Sequence, residues 1–74
     1  MKDQRKIVNK CIVNDVPVMA LSGNDKLSLL TIRFYLRMAK QYKCNPEFIQ
    51  DLQELVSWFE QHASENTDKL RLPD

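Results

Sequence analysis

The chain has 74 residues, with 11 lysines and arginines, 10 acidic residues and a net charge of +1. This length suits one domain, and the near-neutral charge excludes a globally basic nucleic-acid binder. Hydrophobic residues make up 43% of the chain and charged residues 28%, which is typical of a globular protein rather than a disordered one.

The sequence shows no feature of membrane insertion or export. No apolar run approaches the length of about 20 residues that a membrane-spanning helix needs. The basic N-terminus leads into a mixed apolar and polar stretch and not into a continuous apolar segment. We therefore expect a cytoplasmic protein without membrane contact, in which Cys11 and Cys44 are reduced, mainly structural thiols.

The first predicted element in chain order is a β-hairpin over residues 7–21. Two runs rich in β-branched residues flank Asn14 and Asp15, which tolerate turn conformations. Pro17 cannot donate to a strand ladder, so the second strand should lie at an edge.

Two helices follow, over residues 26–43 and 46–63. Asn24 or Asp25 can cap the first, and the pair Asn45-Pro46 ends the first helix and starts the second. The remaining residues, 64–74, form a polar tail whose leucines we expect to pack back onto the domain.

The predicted fold is therefore α+β: a single small domain, residues 1–74, with an N-terminal hairpin packed on two antiparallel helices in ββαα order.

The first predicted helix is apolar over most of its circumference. Two stripes lie on opposite sides of it; one is Leu27, Leu30, Phe34 and Met38, and the other is Leu29, Ile32, Leu36 and Ala39. A helix of this kind needs cover on two sides. The second helix can cover one stripe, and either the hairpin or a partner, including a second copy of the chain, covers the other.

The charges of the two predicted helices are segregated. The polar side of the first helix is basic and consists of Lys26, Arg33, Arg37 and Lys40. One face of the second helix is acidic and ends in a tryptophan; it consists of Glu47, Asp51, Glu54 and Trp58. One interpretation is ion pairing between antiparallel helices, with Trp58 covering the edge of the core. The other is two binding faces, one for phosphates and one for a basic groove on a partner protein, with Trp58 as the anchor.

Catalytic and metal-binding patterns are missing from the sequence. The chain contains one glycine and one histidine, so it has no glycine-rich phosphate loop and no paired-histidine motif. We expect no enzymatic activity, no catalytic residue, no cofactor and no metal site.

Several segments resemble small uncharacterised proteins of phages and mobile elements: residues 16–21, residues 24–28, Tyr35, residues 46–49, and the Leu72-Pro73-Asp74 ending. In size, lack of catalytic motifs and charge segregation the chain is also similar to anti-CRISPR proteins. The resemblance implies a non-catalytic inhibitor or modulator of a larger protein, with a CRISPR effector nuclease or its guide RNA complex as the candidate partner. It also implies that the acidic face would mimic nucleic acid and the basic residues could contact guide RNA. The alternatives are a small RNA- or DNA-binding module and a structural homodimer.

Overall fold

The computed structural model describes residues 4–72 and is built from helices. The α-helices are α1 (Gln4–Val13), α2 (Ser28–Gln41) and α3 (Pro46–Glu65), and a 3-10 turn follows at Thr67–Lys69. Within residues 4–72 there is no β-strand, and a lone bridge pairs Asp25 with Arg71. The predicted α+β fold in ββαα order is therefore wrong, and the chain is all-helical.

The first predicted strand is a helix, and the turn residues of the predicted hairpin form its C-terminal cap. Asp15 has a φ of 55°, and the N–H of Val16 donates to the Cys11 carbonyl at 2.8 Å. This is the hydrogen bond of a Schellman motif, with Asp15 in the left-handed conformation that ends many helices. The Asn14 side-chain amide also donates to the Lys10 carbonyl, at 2.8 Å. Asn and Asp suit a helix end and a hairpin turn equally, because both need the same backbone conformation.

The second half of the predicted hairpin, residues 16–22, carries no regular secondary structure. Without a strand beside it, this segment has no ladder to join. Val16, Val18 and Met19 are exposed, and Leu21 is half-buried.

Both predicted helices are present, with ends shifted by at most two residues. Asp25 Oδ1 accepts the N–H of Leu27 at 2.8 Å, at the turn that leads into α2. Asn45 Oδ1 accepts the N–H of Glu47 at 2.8 Å, and Pro46 occupies the first position of α3. The Asn45 cap satisfies an N–H group that has no partner inside α3. Asp25 instead forms a turn ahead of α2; the N-cap residue of α2 is Leu27 and no side chain caps this helix, so the expected cap by Asn24 or Asp25 is not observed.

The core lies between α2 and α3, which residues 42–45 connect into an antiparallel pair. In the described part of the chain, four apolar residues are buried: Ile32, Ala39, Leu52 and Val56. The rings of Tyr35 and Phe48 extend this contact; they pack edge to face, with their centroids 6.3 Å apart. Within each helix the residues of this contact are three, four or seven positions apart. The apolar residues that the sequence places at helical spacing therefore form the contact between the two helices.

Helix α1 packs more lightly than the other two. Between Gln4 and Val13 no residue is buried, and Val8 and Cys11 are half-buried. A groove of about 490 Å³ remains where Val8 and Leu21 approach Leu55 and Phe59. The N-terminal third therefore packs only lightly against the α2–α3 pair and leaves this groove uncovered.

The tail is held at the start of α2. The N–H of Arg71 donates to the Asn24 carbonyl and the N–H of Lys26 donates to the Arg71 carbonyl, both at 2.8 Å. Leu70 is half-buried, as expected for a leucine packing back onto the domain, whereas Leu72 is 64% exposed.

The molecule is open for its size. It exposes 6446 Å² of accessible surface, whereas a compact monomer of 8.7 kDa exposes about 4700 Å². Its radius of gyration is 13.5 Å, compared with about 11 Å for a compact chain of this length. The shape is flat, with extents of 36 × 28 × 18 Å. Much apolar surface is consequently left outside the small core.

Because the core is small, a charge placed in it should unfold the domain. Ile32 is 7% exposed, so Ile32→Asp is expected to remove most of a stability margin of a few kcal/mol. Ile12 is 66% exposed, so the same substitution there should lower the free energy of unfolding by less than about 1 kcal/mol. Urea denaturation followed by circular dichroism measures both, and equal losses would contradict the assignment of the core.

Candidate interaction surfaces

One helix face of α3 combines acidic side chains with an exposed tryptophan. Trp58 is 73% exposed, and it shares this face with Glu47, Asp51 and Glu54 through spacings of four, three and four residues. Glu47 and Glu54 are exposed, and Asp51 is half-buried. We call these four residues the acidic face. The interpretation that Trp58 covers the edge of the core is wrong for this structure, because the indole projects into solvent.

A shallow pocket of about 370 Å³ opens beside the acidic face. Its lining, besides Trp58, consists of Gly23, Phe59, Gln61, His62 and Glu65. The sequence did not indicate this pocket, because it joins the loop before α2 to the last turns of α3, which are distant along the chain.

Hydrogen bonds fix the wall of this pocket. The His62 ring donates from Nε2 to Asn24 Oδ1 at 2.6 Å, and the Asn66 side chain donates to the His62 carbonyl at 3.0 Å. A Cβ at Gly23 would lie 3.2 Å from His62 Cδ2, so a side chain at position 23 would press on the imidazole. His62 and the chain's one glycine therefore have a structural role here, in joining the loop to α3.

The basic residues of α2 and of the turn before it lie on the surface. Lys26, Arg33, Arg37 and Lys40 are all exposed, and we call them the basic row. Arg33 pairs with Glu60 of α3, with Nη2 3.3 Å from Oε1 and both side chains about half exposed. Ion pairing between the helices therefore does occur at Arg33. An exposed pair of this kind contributes at most about 1 kcal/mol, and Arg33 remains accessible to a partner.

The two apolar stripes of α2 have different environments. The stripe that contains Ile32 and Ala39 faces α3 and forms the core. The opposite stripe is open to solvent: Leu27 is 48% exposed, Leu30 is 65% exposed and Phe34 is 61% exposed, while Met38 is half-buried. We call these four residues the solvent stripe. The hairpin that was expected to cover it is absent, because residues 4–13 form a helix that packs elsewhere.

The acidic face and the solvent stripe belong to different helices, the acidic face to α3 and the solvent stripe to α2 and the turn before it. The basic row also lies on α2 and that turn, and one of its members, Arg33, reaches Glu60 of α3.

The described residues hold no group of three or more histidine, cysteine, aspartate or glutamate side chains that could bind a metal ion. Cys11 and Cys44 are free thiols, each half-buried. No helix found within residues 4–72 combines the length and the apolar character needed to cross a bilayer.

Comparison with known proteins yields no relative. No family model, no curated protein and no solved structure matches the chain.

The exposure of Trp58, the single tryptophan of the chain, is directly measurable. Its fluorescence emission maximum should lie close to that of free tryptophan in water, because 73% of its surface contacts solvent. Acrylamide should quench it nearly as efficiently as it quenches N-acetyl-tryptophanamide. A blue-shifted emission that is poorly quenched in the isolated monomeric protein would show that the indole is covered.

Proposed function

We propose that the chain is a non-catalytic binding protein that docks onto a larger protein in the cytoplasm through the acidic face of α3. The observation that supports this most directly is the exposure of Trp58 at the end of a row of carboxylates. Tryptophan is normally well buried and is enriched among the residues that dominate binding energy at interfaces. An indole that stands in solvent beside a pocket is costly unless a partner covers it.

The charge of the acidic face specifies the chemistry of that partner. Carboxylates repel phosphates, so nucleic acid is disfavoured at this face, whereas a basic groove on a protein is attracted to it. A small protein seated in such a groove would exclude the nucleic acid that the groove normally holds. The chain would thereby inhibit or modulate its partner, and the similarity to anti-CRISPR proteins makes a CRISPR effector nuclease one candidate partner.

Among the described residues, the side chains that could act in catalysis are engaged in structural contacts or solvated, an arrangement that suits binding. Catalysis needs a nucleophile or base, an orienting group and a site that excludes water. His62, the one histidine, is occupied in the contact with Asn24, and the carboxylates Glu47 and Glu54 are solvated on a convex helix surface.

RNA binding through α2 is the second candidate function. Three of the four residues of the basic row lie on α2 and are exposed, and lysine and arginine side chains suit contact with phosphates. Tyr35, on another face of α2, is 57% exposed, and Tyr42, which follows α2, is 74% exposed; either ring can stack on an unpaired base. Anisotropy of a labelled single-stranded RNA tests this role, with Lys26, Arg37 and Lys40 replaced by glutamate in a control protein.

The main proposal predicts which variants lose the partner. The partner is first captured from the native host with the wild-type chain, identified by mass spectrometry and purified. Trp58→Ala should then weaken its binding by about 30-fold or more, the loss typical of an interface anchor. Glu54→Lys should weaken binding and reduce its salt dependence, because charges on the acidic face are screened over about 8–10 Å. Isothermal titration calorimetry measures both effects.

Gln53→Lys is the matched control. It adds the same positive charge to an exposed position of α3, one residue away along the chain and on a different face. The proposal requires this control to bind like the wild type and all three variants to keep the wild-type melting temperature. Normal binding by both Trp58→Ala and Glu54→Lys would overturn it.

A further inference from the structure

Opposite charges are concentrated on different helices of the same molecule. From Lys26 to Lys43 the chain has five basic residues and no acidic one, and from Glu47 to Asp68 it has six acidic residues and no lysine or arginine. The net charge is only +1, so little overall repulsion keeps two copies apart. The basic helix of one copy is therefore electrostatically complementary to the acidic helix of another.

One line of side chains on α2 joins the basic row to the solvent stripe. Its members lie three, four and three residues apart, the spacing of a seam between two packed helices. We call it the α2 seam: Leu30, Arg33, Arg37 and Lys40. The acidic face has a spacing of four, three and four residues, so it is longer by a single residue. Every member of both lines is exposed except Asp51, which is half-buried.

An antiparallel alignment of these two lines matches each charge with its opposite. With Lys40 level with Glu47, no pair is displaced by more than the rise of one residue, about 1.5 Å. The pairs are Lys40 with Glu47, Arg37 with Asp51, Arg33 with Glu54, and Leu30 with Trp58. The last pair brings together an indole that is 73% exposed and a leucine that is 65% exposed, so the contact removes apolar surface of both from water.

The other ways of pairing α2 leave Trp58 uncovered or bring like charges together. In a parallel alignment Arg33 would lie level with Glu47, and Trp58 would extend past Gln41, where α2 ends. Two copies of α2 packed on each other would place basic residues against basic residues, which repel. We propose that copies of this chain associate head to tail, with the α2 seam of one copy packed antiparallel against the acidic face of the next.

The ion pair inside the molecule is compatible with this contact. Arg33 approaches one carboxylate oxygen of Glu60 through Nε at 3.4 Å and Nη2 at 3.3 Å, and both side chains are about half exposed. The guanidinium carries further N–H donors on Nη1. Arg33 can therefore donate to Glu60 of its own chain and to Glu54 of the next copy at the same time.

Head-to-tail association occupies the acidic face, which the proposed function assigns to a larger protein. Self-association and docking therefore compete, and the larger protein binds the free chain rather than the assembled one. A dimer still has one unused seam and one unused acidic face, so association continues to longer species or to a ring. The inference does not rest on the proposed function, because a change in the α2 seam removes self-association and leaves docking through Trp58 intact.

The first experiment follows the mass of the full chain by sedimentation equilibrium from low to high micromolar concentration. At about 0.01 M salt charges act over about 30 Å, and the average mass of the wild type should rise above 8.7 kDa as the concentration increases. At about 1 M salt, where this range falls to about 3 Å, the mass should stay closer to that of the monomer. Arg37→Glu should weaken the association by about 10-fold or more, because it replaces an attraction by a repulsion.

Lys6→Glu is the matched control for this variant. It makes the same change of net charge at an exposed position of α1, outside the α2 seam. It should associate like the wild type. Both variants should keep the helix content of the wild type, because positions 6 and 37 are exposed in the monomer.

The second experiment identifies the two faces by mixing variants. The Arg37→Glu chain keeps the acidic face and the Trp58→Ala chain keeps the α2 seam, so one of each should form a dimer that cannot grow. The only indole in the mixture is Trp58 of the Arg37→Glu chain. Its fluorescence emission should shift to the blue as the Trp58→Ala chain is added at low salt, because Leu30 covers it. A chain that carries both substitutions has neither face intact and should cause no shift.

Three results would overturn the proposal: a wild type that stays monomeric at low salt, an Arg37→Glu chain that associates as strongly as the wild type, and a mixture without a blue shift. Association that strengthens as salt rises would also contradict it, since opposite charges attract less when they are screened. The failure of the proposed function is a separate result: it would appear as normal binding of the larger protein by Trp58→Ala and Glu54→Lys, whatever the mass of the isolated chain.

Discussion

The contact between Ile32 and Ala39 of α2 and Leu52 and Val56 of α3 is the interaction on which the rest of this structure depends. These side chains are the buried apolar residues of the described chain, and they join two helices that Asn45 and Pro46 place in antiparallel order. The other elements pack around this pair: α1 packs against one side of it, and the tail is hydrogen-bonded to the loop before α2. Because the core is this small, the outer face of each helix is left largely uncovered by the rest of the protein. The surfaces available for binding are a direct consequence of the limited interior.

The C-terminal two thirds of the fold could be predicted from the sequence, and the N-terminal third could not. The pair Asn45-Pro46 ends one helix and caps the next, so this boundary was visible in the sequence. The start of α2 was predicted to within two residues, although no side chain caps it. The segment around Asn14 and Asp15 is ambiguous, because a hairpin turn and a helix C-terminus both accept a left-handed residue there. Its β-branched residues lower helix propensity only slightly. The deciding information is tertiary: Val8 and Cys11, one helical turn apart, both turn inward, and Val8 approaches Leu55 and Phe59.

The candidate interaction surfaces, too, could be predicted from the sequence only in part. The shared face of Glu47, Asp51, Glu54 and Trp58 follows from helical periodicity alone, and so does the basic row of α2. Whether Trp58 is covered depends on the course of the tail, which periodicity does not determine. The backbone of Arg71 pairs with Asn24 and Lys26, and this contact carries the tail to the start of α2 and leaves the indole exposed. The pocket beside it depends equally on a contact between Gly23 and His62, which no local pattern reveals.

Residue-specific hydrogen exchange of the backbone amides tests most directly the claim that the α2–α3 pair carries the stability of the chain. The amides that exchange most slowly should lie in Ser28–Gln41 and Pro46–Glu65, around the four buried residues, because they open only when the whole domain unfolds. The amides of Gln4–Val13 should exchange faster, since α1 has no buried residue to hold it, and residues 16–22 should show no protection of the strand type. Protection in α1 equal to that of α2 and α3, or paired protection across residues 7–21, would contradict the account.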